Sequence, residues 1–316
     1  MTPRRWILIT SRLFFVLCLY ALVGCQSEAQ SQGDTGQAHQ DVDVIFDVMV
    51  DVSDTSDDVV DATIDSGQEP ESCDGLFGTP SEATGLDDEQ CRPECSCSDA
   101  HWSAPSYNQD FRDQLHQWTL VDAMEAPEQN PYETGISNDR EGLCGLEIVD
   151  ESQQTYRLRT FETKSELMEA GARKTHDEPC GLCSSLQDLA VYIDNPDLTE
   201  PVRACGVQGI TGGDESQAEC IKEIGFSSQC AEIWSWNTTH TREACFDVCI
   251  PLMDAPHNEP DGSMNDCLAC DENNSGDVFK AVAGRTRRNS GLPSAICRPC
   301  SDLVRISHEG SPFPKD

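Results

Sequence analysis

The sequence predicts an α+β fold that is mostly helical and disulfide-rich, with one small β-hairpin or sheet. Three observations carry this. Apolar residues recur at helical spacing in several segments, as with Leu186, Leu189 and Tyr192. Two runs alternate instead, Leu146-Glu147-Ile148-Val149 and Tyr156 to Phe161, with polar residues 150–154 between them. Eighteen of the 316 residues are cysteine and only 6% are aromatic, so cross-links supplement a modest apolar content.

The amino end carries Arg4, Arg5 and Arg12 around an apolar run at 13–23, LFFVLCLYALV. That run is about half the roughly 20 apolar residues a spanning helix needs. It reads as the n-region and h-region of an export signal. Leu22, Val23, Gly24 and Cys25 resemble the lipobox of bacterial lipoproteins. The resemblance implies a signal peptide over 1–24 and palmitate-type acylation of Cys25. It also implies a membrane partner reached through that lipid. With no Asp after Cys25, the analogy points to the outer membrane, facing periplasm or exterior. One acyl chain holds weakly at about 0.8 kcal/mol per buried methylene, whereas two or three hold firmly.

Residues 25–72 read as an acidic disordered tether. No Lys or Arg falls between Gln26 and Ser72, and Asp alternates with Val through much of 41–65. Asp is a poor strand former and like charges on one face repel, so a solvated, extended chain is expected. The stretch resembles Asp-rich spacers that follow lipoboxes in some envelope proteins. The whole chain has formal charge −36. Nucleic acid is therefore a poor partner, and an anionic membrane surface would repel the protein, leaving the lipid to attach it.

Removing Cys18 with the signal and Cys25 to the lipid leaves sixteen of the eighteen cysteines. An even number in an exported chain reads as a disulfide framework whose connectivity spacing cannot give. Three pairs have CxxC spacing, and two other readings stand beside structural bridges. Cys267, Cys270, Cys297 and Cys300 could supply four thiolates to zinc, although oxidation competes with metallation outside the cytosol. Cys180 and Cys183 lie between an extended segment and a helix at 184–193, where a helix amino terminus stabilises a thiolate. That order, with Leu292-Pro293-Ser294 as a proline loop, resembles thioredoxin-like enzymes. It implies thiol–disulfide exchange at Cys180 and Cys183, with His176 near enough in sequence to tune the pair. No cofactor is expected.

The folded part divides into a small Cys-rich segment, 73–99, and a Cys-rich globular domain, 100–316. Phe111, Leu115 and Trp118 share one helix face. The alternating runs form a hairpin. Thr163 to Ala172 is helical, with Thr163 and Glu166 as a capping box. Helices follow at Ser184 to Ile193, Ala218 to Ile224, Gln229 to Ile250 (one or two) and Val278 to Ala283. Cys245 and Cys249 share a helix face and so reach a neighbouring element rather than each other. Trp234 and Trp236 are expected in the core.

Residues 180–192, 201–205, 234–238 and 283–291 resemble an uncharacterised Cys-rich secreted family over about Thr160 to Ile296. The resemblance implies no activity. Within it, Arg285, Arg287 and Arg288 form the densest basic cluster and are candidates for anion binding; internal pairing with acidic side chains is the alternative. Asp271, Asn273, Ser275 and Asp277 partly match a calcium loop, but Val282 stands where a bidentate carboxylate is needed, and a polar turn competes. No HExxH, GxSxG or dinucleotide glycine motif occurs. The expected function is non-catalytic: a membrane-anchored lipoprotein displaying a disulfide-stapled binding or structural domain toward a protein or a small anionic ligand. The alternative is the thiol oxidoreductase.

Overall fold

A computed structural model describes residues 73–98, 101–136 and 140–309. The residues read above as a signal peptide, a lipidated Cys25 and an acidic tether lie outside them. The described chain is α+β and disulfide-rich. All sixteen cysteines within it pair into eight bridges.

The first described residues form short strands: β1 (Cys73–Asp74), β2 (Leu76–Phe77), β3 (Cys91–Arg92), β4 (Glu94–Cys97) and β5 (His101–Ser103). β1, β4 and β5 make an antiparallel sheet, and β2 runs parallel to β3. Cys73–Cys97 closes β1 onto β4. The apolar content here is slight, with Phe77 packing 5.4 Å from the Trp102 ring, so the bridges supply much of what holds these residues.

Helix α1 (Gln109–Leu115) starts where the Asn108 side chain accepts the Phe111 N–H, and it buries Phe111 and Leu115 on the expected face. After β6 (Thr119–Leu120) and α2 (Pro131–Thr134), the predicted hairpin appears as β7 (Leu143–Asp150) and β8 (Thr155–Phe161). Thr163 caps α3 (Lys164–Glu169), and β9 (Arg173–Asp177) returns alongside β7. The order is β6-β8-β7-β9. The expected hairpin is the centre of this small sheet, and among the described residues two further three-stranded sheets of very short strands accompany it. Two-residue strands carry too little alternation to be seen.

Helix α4 (Leu186–Asp194), capped by Ser185, buries Leu186, Leu189 and Tyr192 as its spacing predicts. Helix α5 (Thr199–Glu223) is longer than the 218–224 expected, because Gly206, Gly209, Gly212 and Gly213 hide its first limb from propensity reasoning. Gly213 breaks the helix at φ +77°, a value other residues adopt only with strain, and Cys205–Cys220 ties the two limbs together. Helix α6 (Ser228–Cys249) is single. Helix α7 (Asp266–Ala283) lies against it, stapled by Cys245–Cys270 and Cys249–Cys267. The shared face of Cys245 and Cys249 therefore does meet a neighbouring helix.

Strand β10 (Arg298–Pro299) pairs with β2, and Cys91–Cys297 and Cys95–Cys300 clamp the same junction. The segment read as 73–99 is in this way fastened, over its described residues 73–98, to residues 297–300. No helix among the described residues is long and apolar enough to cross a membrane.

Candidate functional site

The structure redistributes most of the residues singled out from sequence. Cys180 bonds Cys144 on β7, and Cys183 bonds Cys230 on α6. The two sulfurs of this CxxC face different elements and form no exchange pair. His176 is fully buried, bonded to Ser184 Oγ at 2.7 Å and to the Asp177 carbonyl at 2.6 Å. Burial and the Arg285 charge hold its imidazole well below the usual range. The four zinc candidates are consumed as well: Cys267 by Cys249, Cys270 by Cys245, Cys297 by Cys91 and Cys300 by Cys95. A bridged sulfur is not a thiolate ligand. Among the described residues no group of three or more His, Cys, Asp or Glu is placed to hold a metal ion.

The calcium-loop reading fails because 271–277 is helix within α7. Helical geometry points Asp271 and Ser275 inward and leaves Asn273 and Asp277 exposed, so their oxygens do not converge. Arg285 is no anion site either, since it is wholly buried. Its five N–H groups go to the carbonyls of Thr175, Cys183 and Ser184 and the hydroxyls of Thr175 and Ser290. Burial pulls its pKa down to about 10. Arg287 is spent on the carbonyls of Tyr192, Asn195 and Pro293. Only Arg288 keeps the expected ionic role, and it does so at the edge of a cavity.

That cavity, about 390 Å³, is the candidate site. One wall is the first limb of α5, with Val202, Val207 and Ile210; the facing wall is α6 and the residues after it, with Phe246, Ile250 and Met253. Trp234 and Phe279, in edge contact at 4.7 Å, lie deeper, so Trp234 is both core and lining. The rim is open and apolar: Ile210 is 60% exposed, Val207 53%, and Phe246 and Ile250 51% each. Large apolar side chains gathered at one mouth mark a surface that gains by being covered.

Charge is inverted here. The chain has 21 Lys and Arg against 57 Asp and Glu. Around the cavity stand six cations, Arg203, Arg242, Lys280, Arg287, Arg288 and Arg298, against Asp197, Asp271 and Glu272. Arg203 and Arg242 bond wall carbonyls of Met253 and Gly206. Lys280, Arg288 and Arg298 converge on Glu272 at 2.5, 2.6 and 3.2 Å. Burial alone would raise the Glu272 carboxyl, yet the Lys280 hydrogen bond and the two guanidinium charges hold it at about 2. Lys280 also lies 3.8 Å from Asp277 and Arg288 4.0 Å from Asp302, both exposed acids beyond hydrogen-bond reach, so Glu272 is the one carboxylate that all three cations share.

A second polar group lies beside it. The Thr241 hydroxyl donates to Asp271 and stands 2.9 Å from Ser275 Oγ, which His240 Nδ1 also meets at 3.0 Å. Tyr132, stacked on His240, donates to Asn237 Oδ1 at 2.7 Å. Burial pushes the Asp271 carboxyl above its ordinary range; the Thr241 bond opposes this and the Glu272 charge adds to it. The arrangement can bind. Ser275 itself is fully buried, so the His240–Ser275 pair offers no reachable nucleophile.

Residues 214–306 match the model of a family of unknown function, DUF8771. The match takes in α6, α7 and the three cations on Glu272, and leaves the α5 wall at 202–210 outside it. No curated protein matches the chain, and no solved structure matches it.

Sequence reasoning missed the cavity. Exposed Val207, Ile210, Phe246 and Ile250 look from sequence like the same periodic apolar positions that fill a core. Arg298 and Lys280 are 18 residues apart and join only because α7 and the following loop fold back.

Proposed function

We propose that this chain is a lipid-anchored cell-envelope protein. In this reading the acyl chains on Cys25 hold it to the membrane, the acidic tether carries it outward, and the disulfide-stapled domain binds a ligand in the α5–α6–α7 cavity without catalysis. What supports export is that every described cysteine is bridged, the state an oxidising compartment maintains. What supports binding over thiol exchange is the same pairing. Cys180 and Cys183 are each locked to a distant partner, whereas the cavity has an open apolar mouth and fixed polar groups inside, as small-molecule sites do. The single observation that carries the reading is the cavity with its inverted charge.

The test is metabolic labelling with an alkyne-tagged palmitate, followed by membrane sedimentation. The native chain takes the label and sediments; Cys25→Ala does neither. Unlabelled native chain, or alkylation of its cysteines without prior reduction, overturns the anchor and the oxidised state respectively.

A further inference from the structure

We infer that the cavity takes a single-chain amphiphilic oxyanion, of which a free fatty carboxylate is the simplest, with its chain between α5 and α6 and its head at Lys280, Arg288 and Arg298. This rests on reading the domain as a binding domain.

Three observations select this class. The rim residues Val207, Ile210, Phe246 and Ile250 are each more than half exposed and face one opening. An alkyl chain laid there removes apolar surface from water on both sides, at about 25 cal/mol per Å². The cavity has twice as many cations as acids in a chain with nearly three acids per cation, so it disfavours the cationic amphiphiles that the acidic remainder of the surface attracts, and it favours anions. Each arginine gives one nitrogen, Nη2, to Glu272; Arg288 Nη1 faces the exposed Asp302 only at 4.0 Å, beyond hydrogen-bond reach, so both carry further N–H groups, and a guanidinium fork suits a second planar oxyanion. Size narrows the ligand again. About 390 Å³ is near the low end for small-molecule sites, which suits one chain rather than the two of a phospholipid.

The head group has a counterpart already in place. Glu272 occupies the centre of the three cations, so an incoming carboxylate shares or displaces it. Neutralising Glu272 therefore improves the seat, whereas neutralising Arg288 or Arg298 degrades it.

The experiment uses the full chain in lipid nanodiscs and a laurate bearing a terminal diazirine, with cross-links mapped by mass spectrometry. Labels are expected on peptides covering 202–210 and 246–253. Unlabelled laurate should compete at about tenfold lower concentration than dodecanol or dodecylamine, the worth of one charge-assisted hydrogen bond. Ile210→Glu and Phe246→Glu, at exposed positions, should each cut labelling about tenfold. Arg288→Gln should erase the preference for laurate over dodecanol, and Glu272→Gln should increase it. A misfolded variant cannot produce that gain. Competition by dodecanol as strong as by laurate, or no gain with Glu272→Gln, overturns the oxyanion assignment while leaving a binding domain. No label on either peptide above that of Ile210→Glu overturns the cavity as a binding site altogether.

Discussion

Replacing Arg285 by Met tests whether this cation is an internal strut. Its guanidinium is fully buried and gives one hydrogen bond from each of its five N–H groups. Met matches the stem but offers no donor, so three backbone carbonyls, of Thr175, Cys183 and Ser184, lose a partner in a dry site. At about 1–3 kcal/mol for each orphaned group, the loss centres near 6 kcal/mol. Relief of the buried charge offsets part of this. Burial lowers the Arg285 pKa from 12.5 to about 10, equivalent to about 3 kcal/mol that the variant no longer bears. The net expectation is about 3 kcal/mol of destabilisation. Urea unfolding with all bridges oxidised reads this directly as a shift in midpoint at constant slope. Arg285→Lys should recover little, since an ammonium has three donors and no fork. A variant within about 0.5 kcal/mol of native would refute the strut and reopen the cluster as a surface-facing anion site.

Stability should fall on mild acidification. Burial, followed by the Arg285 charge, holds His308 at about 3 and His176 well below the ordinary imidazole range. An unfolded histidine titrates near 6.5, so below that pH the unfolded chain binds protons the folded chain refuses. The stabilisation is full above 6.5 and is lost at about 1.4 kcal/mol per pH unit for each histidine as pH falls toward the folded values; a melting temperature unchanged between pH 7 and 5 would contradict this. Converting Cys205 and Cys220 together to Ser opens a 15-residue separation and should cost about 3 kcal/mol. Hydrogen exchange should rise in the two α5 limbs while the α6–α7 staples stay protected; uniform loss across the domain would contradict a local tie. Gly181→Ala places a Cβ 2.4 Å from the Val282 carbonyl and 2.5 Å from the Gly284 N, both backbone atoms. The crossing of 180–184 over 282–285 must open, at about 1–3 kcal/mol, and native stability in this variant would show the approach is looser than described.

Fold class and the chemistry of construction are legible in the residues themselves. Helical spacing placed α1, α4 and α6, and alternation placed the β7–β8 hairpin, because these signals live within ten or twenty neighbouring residues. An even set of cysteines told of bridges, and the four-residue spacing of Cys245 and Cys249 told that both face one neighbour. The remainder depends on long-range packing. Whether Arg285 meets water or carbonyls depends on where Thr175 and Cys183 lie, more than a hundred residues upstream. Cys180 and Cys183 part company because one faces the sheet and the other α6. The cavity mouth forms where Ile210 of α5 and Phe246 of α6 stay exposed beside one another's helices, a juxtaposition 36 residues apart in the chain. Periodicity names the apolar face of a helix; what packs against that face is set by chain segments far away, and local residues carry no record of them.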